Sequence, residues 1–166
     1  MLISTMIAAA VALQAAPAPA PHAAQGHEMA PQSASTSADE SAVRAVLARY
    51  KSAIERLDAT GTETLFTEDS AVFETGGVEG TYKEYLVHHL GPELAAFRTF
   101  AFSDYTVAVR IEGDLALATE TYNYRIEPKT GETATRKGVA TSVLTRTSEG
   151  WKILVMHNSA RKPKGA

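Results

Sequence analysis

Five histidines and no cysteine set the first limits on chemistry in this 166-residue chain. Without thiols there is no cysteine nucleophile, no thiolate metal site and no disulfide, so the core must hold without covalent staples. His88 and His89 are neighbours in a helical stretch, where successive side chains diverge by about 100°, so the two rings do not readily share one ion. One of them could meet His157, with Glu84 or Glu93 adding the oxygen ligand that hydrolytic metal sites often use. The plainer reading has more weight: one ring solvated, one packed, and His157 hydrogen-bonded within a strand. His22, His27 and Met29 are soft ligands suited to copper, yet they follow no recognisable spacing. No metal and no cofactor is assigned.

Tyr50 and Glu74 are the other candidates. Tyr50 falls on an apolar helical stripe, which suits a core aromatic with its hydroxyl at a pocket edge. Glu74 ends the run Glu68-Asp69-Ser70-Ala71-Val72-Phe73-Glu74 just before a glycine-rich loop, which suits a solvated strand end. The functional alternative is that the two line one pocket. Other chemistries lack their motifs: there is no nucleophile elbow, no phosphate-binding loop and no dinucleotide fingerprint. The 16 basic and 19 acidic residues are interleaved and sum to a net charge of -3, so no basic stripe points to nucleic acid.

These residues need elements to hold them. A capping box at Ser37 and Glu40 opens a helix, and Val43, Val46, Leu47, Tyr50, Ile54 and Leu57 recur along it as one stripe. Gly61 is expected to close it in the left-handed conformation. A short helix around Glu63 to Phe66 leads to a strand near Ser70 to Glu74. Gly76, Gly77 and Gly80 then make a tight loop. Thr81 and Glu84 form a second capping box, opening a helix that carries Leu86, Leu90, Leu94 and Phe97, with Gly91-Pro92 kinking or restarting it. Four strands follow, near Phe100–Ile111, Leu115–Ile126, Thr133–Thr147 and Trp151–Ala160. Their turns (Glu112-Gly113-Asp114, Pro128-Lys129-Thr130-Gly131 and Ser148-Glu149-Gly150) are short enough to force antiparallel neighbours.

The flanks differ in character. Residues 1–15 carry a short apolar run, Ala8 to Leu13, followed by small residues, which reads as a signal peptide although no basic residue precedes it. The run is too short to span a bilayer. Residues 16–38 are rich in Ala, Pro, Ser and Gln and read as a disordered linker. The folded domain is expected over 39–162, with 163–166 a tail.

The order of helices, strand, helix and meander, with the Gly150-Trp151-Lys152-Ile153 turn and the His157-Asn158-Ser159 ending, resembles the nuclear transport factor 2-like superfamily and its SnoaL-like branch over about Ser41 to Arg161. The resemblance implies an α+β fold of cystatin-like type: a curved antiparallel sheet wrapped on N-terminal helices, forming a cone with an internal pocket. It places Phe73, Leu86, His89, Phe97, Val143, Met156, His157 and Asn158 around a ligand. On the last strand two alternatives stay open: His157 inward with Ile153 and Val155, or Met156 inward with Leu154 and Asn158. The polar positions Thr119, Thr121, Asn123, Arg125, Thr141 and Thr145 suit either a damp pocket or a solvent-facing sheet surface.

The superfamily includes ketosteroid isomerase, scytalone dehydratase, limonene epoxide hydrolase and noncatalytic relatives, so the fold does not choose an activity. Arg49-Tyr50 resembles the isomerase's Arg-Tyr, whose phenol donates to an oxyanion, and Glu74 falls where that family carries its base. The third member, a protonated acid on the third meander strand, is missing from Val139-Ala140-Thr141-Ser142-Val143-Leu144. Relatives dimerise through the outer sheet face, with Tyr105, Tyr122, Tyr124 and Trp151 as expected anchors here. The combined expectation is a periplasmic or secreted homodimer that binds a small, largely apolar molecule. An isomerase or lyase using Tyr50 and Glu74 is the alternative, and histidine-based metal handling a third.

Overall fold

The computed structural model describes residues 30–163, with side chains from residue 36. The expected signal peptide and most of the linker, with His22, His27 and Met29, lie outside those residues. Helix α1 spans Ala30–Glu55. Ser37 is therefore inside a helix and forms no N-cap; its carbonyl instead accepts from the Ser41 hydroxyl at 2.9 Å. The expected start at Ser37 is corrected, and helix occupies part of what composition reads as linker. The other end departs too. Asp58 N–H donates to the Ala53 carbonyl and Leu57 N–H to that of Ile54, the paired bonds of a Schellman cap. Leu57 itself holds the left-handed position, φ 56°, so Gly61 (φ 78°) instead leads into the 3₁₀ turn Thr62–Leu65.

Strands β1 (Phe66–Glu74) and β2 (Gly77–Gly80) form a hairpin. The Thr81–Glu84 capping box is present and opens α2, Tyr82–Tyr85. A π turn over Leu86–Leu90 follows, and α3 runs Gly91–Ala96 with Pro92 in its first turn. Pro92 is tolerated there because a first-turn N–H has no intrahelical partner anyway. A side chain on Gly91 would strike the Leu86 carbonyl, so the wider turn closes only on glycine.

The meander is β3 (Phe97–Glu112), β4 (Leu115–Pro128), β5 (Ala134–Thr147) and β6 (Gly150–Arg161). The six-stranded sheet runs β2-β1-β6-β5-β4-β3. Every neighbour pair is antiparallel except β1 with β6, which is parallel. The sheet curves over α1 and stays open at its edges. Val43 and Leu47 of α1 pack with Ala116, Ala118, Leu144 and Ile153 of the concave face, all at most 2 % exposed. Asp39 ties the helix to the sheet, accepting from Arg146 at 2.5 Å and from the Trp151 indole at 3.3 Å.

Face assignment along β6 answers the open alternative with a third arrangement. The β5–β6 register slips between Val143 and Leu144, so that Val155 and Ile153 are paired while Leu154 is bulged out. A bulge of one residue shifts the alternation by one. Trp151, Ile153 and Met156 thus all face the core, with Asn158 and Ala160 continuing inward, while His157 is exposed on the convex side. Glu120, Tyr122 and Tyr124 also face inward, and Trp151 is only 6 % exposed. The aromatic anchors expected on the outer sheet face are therefore not there. That face carries Leu115, Leu117 and Val139 instead, 47 %, 42 % and 43 % exposed, beside Thr119, Thr121, Asn123, Arg125, Thr141 and Thr145 (the last four half-buried or exposed). Those polar positions belong to the convex surface and not to a pocket.

Candidate functional site

Where α3 ends and β3 begins, the sheet and helices diverge and leave a cavity of about 180 Å³. Its wall is aromatic. Phe97, Phe100 and Phe102 enter from β3, Tyr122 and Tyr124 from β4, and Tyr50 from α1. The rings brace one another: Phe100 lies 5.1 Å from Tyr124 in a stacked pair, and Phe102 meets Tyr122 edge-on at 5.0 Å. Gly138 of β5 stands opposite Tyr122; any Cβ there would collide with the tyrosine ring, so glycine is what lets that ring lie flat on the sheet.

The polar end is made by β1 and the short helices. Glu74 ends β1 and lines the cavity with Thr75, Tyr85 and Glu93. The Tyr85 hydroxyl donates to Glu74 Oε2 at 2.6 Å. Glu93 is approached by His89 Nε2 at 3.4 Å, and His89 Nδ1 lies 2.9 Å from Glu79 Oε2. The Glu79 contact, seconded by Glu93, raises the imidazole's pKa, while burial raises that of Glu93 against the pull of His89. Burial also pushes the phenols of Tyr50, Tyr85, Tyr122 and Tyr124 upward. All four are thus neutral O–H groups, suited to donate a hydrogen bond and unsuited to act as bases.

Behind this wall lies an acid that sequence reasoning passed over. Glu120 is inward on β4 and only 9 % exposed, and the Tyr105 hydroxyl donates to its Oε1. Burial raises its pKa. The resemblance expects a protonated acid on β5, which has none there; the buried acid sits on β4, directly across from Ala140. It does not line the cavity; it abuts Tyr122, which does.

Of the residues expected around a ligand, Tyr50, Glu74, Phe97 and Asn158 line the cavity. Leu86 packs against the core from outside it, and Met156 is core at 2 % exposure. Phe73 and His157 form an edge-on pair, ring centres 6.4 Å apart, on the side of β1 and β6 away from the cavity. Val143 is on the convex side of β5. His89 stands behind Glu93 and beside Tyr85, its ring 5.2 Å from the phenol. His157 and His89 do not converge, Glu84 is engaged by Thr81, and no group of three potential ligands gathers among the described residues. The signal for the missed wall was present in spacing: Tyr122 and Tyr124 alternate, as do Phe100 and Phe102, which places each pair on one strand face.

Three clefts are larger: about 330 Å³ beside Arg49 and Arg56 and about 580 Å³ beside Glu63 and Lys83, each built from residues close in sequence (48–65 and 63–83), and about 240 Å³ where the paired strands β5 and β6 bring Lys137 and Val139 beside Ser159, Ala160 and Arg161. The aromatic cavity instead gathers side chains from α1, β1, α2, α3, β3, β4 and β6, which makes it the site assembled by the fold.

No curated protein matches the sequence at a significant level. Solved structures do. A nuclear transport factor 2-like superfamily protein from Salmonella enterica is similar with TM-score 0.70 at 20% identity, over 79% of this chain and 96% of that one. A protein of unknown function with a cystatin-like fold from Nostoc punctiforme gives TM-score 0.63 at 26% identity, over 78% and 81%. A provisionally named dehydratase of the nuclear transport factor 2-like family from Streptomyces avermitilis gives TM-score 0.66 at 24% identity, over 76% and 98%. The family model described as a SnoaL-like domain matches residues 43–162. The chain belongs to the SnoaL-like domain family, and its open curved sheet wrapped on a helix is the fold of these nuclear transport factor 2-like structures.

Proposed function

We propose that this domain binds one small, largely apolar molecule in the aromatic cavity. The observation that carries the reading is the wall of Phe97, Phe100, Phe102, Tyr122 and Tyr124 facing a single polar end at Glu74. Ligand pockets have this composition, mostly apolar with a few placed polar groups. Size narrows the occupant. An engineered apolar cavity of about 150 Å³ takes up benzene, so a cavity of about 180 Å³ suits a single ring-sized body. Native mass spectrometry of protein from its own cell tests this: a retained organic mass on the wild type, lost in Tyr124→Ala, is the expected result. Failure of wild type to retain or take up any ring-sized molecule counts against it.

The reading includes export and pairing. Export is supported by the apolar run in residues 1–15, and a mature start near residue 16 in an envelope fraction is its check. A homodimer through the convex sheet face is supported by exposed Leu115, Leu117 and Val139; Leu117→Lys then yields monomer in sedimentation. No helix among the described residues is long and apolar enough to cross a membrane.

One observation favours a second, catalytic reading: Tyr50 and Glu74 line the same cavity, with Glu74 held by Tyr85. A neighbour from Shewanella frigidimarina, TM-score 0.63 at 24% identity, carries the provisional name ketosteroid isomerase. Here Glu74 would take a proton alpha to a carbonyl and the Tyr50 hydroxyl would donate to the enolate oxygen. Deuterium exchange into cyclohexanone, abolished by Glu74→Gln, is the expected sign. Exchange no faster than in buffer removes Glu74 from that role.

A further inference from the structure

We propose that the occupant of the aromatic cavity is a small organic cation, a ring-sized body carrying an ammonium group, and this rests on the cavity being the ligand site. Charge balance is the first ground. Glu74 lines the cavity, and its hydrogen-bond partner is the neutral phenol of Tyr85. No described Lys, Arg or His side chain forms an ion pair with Glu74, and none lines the cavity. Glu74 is half-buried, and a carboxylate partly withdrawn from water gains from a cation placed beside it. A ligand ammonium supplies one here.

Nearby cations are engaged elsewhere. His89 is taken by Glu79 and Glu93. Arg136 lies across from Tyr124 at the edge of the wall, with its charge felt by that ring, but it donates to the Thr135 carbonyl and forms no ion pair with Glu74. Lys51 is held by Glu55.

The wall is the second ground. Aromatic rings attract a cation within about 6 Å of their centres through the negative face of the π system, and desolvated cages of such rings recognise quaternary ammonium groups. This wall already holds one cation from outside: Lys51 Nζ lies 5.2 Å from the Phe102 ring centre and 5.3 Å from that of Tyr105. The inner side offers Tyr50, Phe100, Tyr122 and Tyr124 to a second. Glu93 at the mouth adds a further carboxyl on the entry path. An anionic ligand would find Glu74 without a counter-charge, and the one cation beside Glu93, His89, is already shared with Glu79.

Equilibrium dialysis with three probes of matched shape decides it: phenyltrimethylammonium, its uncharged isostere tert-butylbenzene, and benzoate. The full chain should hold phenyltrimethylammonium about tenfold or more tighter than tert-butylbenzene, weakened by added salt, with benzoate weakest. Glu74→Gln should narrow the gap between cation and isostere about tenfold. The wild-type probe series stands even where that variant folds poorly. Equal or tighter binding of tert-butylbenzene or benzoate overturns the cation assignment and leaves the ligand-site reading intact. Binding of none of the three overturns both.

Discussion

The two ends of strand β4 face the same side of the sheet and do different work. At one end Ala116 and Ala118 are 1 % and 0 % exposed and let α1 sit close, with Val43, Leu47 and Leu144 filling the contact. At the other end Tyr122 and Tyr124 rise from the same face, the helix layer has moved away, and a cavity remains between them and Glu74. Glu120 marks the crossover, a buried acid closed off by Tyr105. Side-chain size along one strand thus separates the end that holds the fold from the end that holds a ligand. Small residues bring the helix down; large rings hold it off.

Mutations at the two ends should separate the same way. Leu144→Ala at the closed end should cost about 2–5 kcal/mol by the loss of buried methyl groups and the void left behind, read as a lower midpoint in urea, with ligand affinity of the folded fraction unchanged. A large loss of affinity there would blur the division. At the crossover, Tyr105→Phe removes the hydroxyl that donates to Glu120 and should cost roughly 1–3 kcal/mol, the penalty for a buried polar group without its partner.

Glu120 also carries a pH signature. Burial raises its pKa above the ordinary 4.5, so the neutral acid is the form the fold accepts. Its stabilising contribution is complete below pH 4.5 and is lost as pH rises through the raised value. Glu120→Gln should therefore gain stability relative to wild type as pH climbs from 4.5 toward neutrality. A constant difference across that window would show that Glu120 is not desolvated.

The open end should yield smaller changes in stability and larger ones in binding. Gly138→Ala displaces the Tyr122 ring and should lower ligand affinity about tenfold while costing about 1–3 kcal/mol of stability, as overpacking at a buried glycine. The smallest effect belongs to His89. Its pKa is raised above 6.5 by Glu79 and Glu93, so its stabilising contribution is full below pH 6.5 and lost as pH rises through the raised value. Its side chain is 32% exposed, so solvent screening limits the difference from His89→Gln to about 0.2–1 kcal/mol.

Local chemistry was legible and long-range placement was not. Thr81 and Glu84 announce their capping box within four residues, and the glycine turns of the meander fall between alternating strands as expected. The errors arose where one residue's conformation decides many. Leu57 takes a left-handed position that glycine usually fills, so Gly61 looked like the helix end. The bulge at Leu154 shifts the inward set by one residue and brings Ile153 and Met156 to the same side. Nothing in the spelling of Ile153-Leu154-Val155-Met156 shows that slip.

Tyr122 and Tyr124 illustrate the deeper limit. Alternation says they share a face, but which face meets α1 depends on the curvature of the whole sheet. Glu120 escaped for the same reason: its face is fixed by its neighbours in β3 and β5, not by adjacent sequence. Tyr50 and Glu74, from α1 and β1, were placed in one cavity because the family's element order already pairs those elements.

Backbone amide shifts measured by NMR during a titration with phenyltrimethylammonium test the central division most directly. Changes should centre on Glu74, Phe100, Tyr122, Tyr124 and Asn158, while Ala116, Ala118 and Leu144 stay still. Changes gathered instead at Arg49 and Arg56, or along Leu115 and Leu117 of the convex face, would contradict the assignment of the open end as the ligand site.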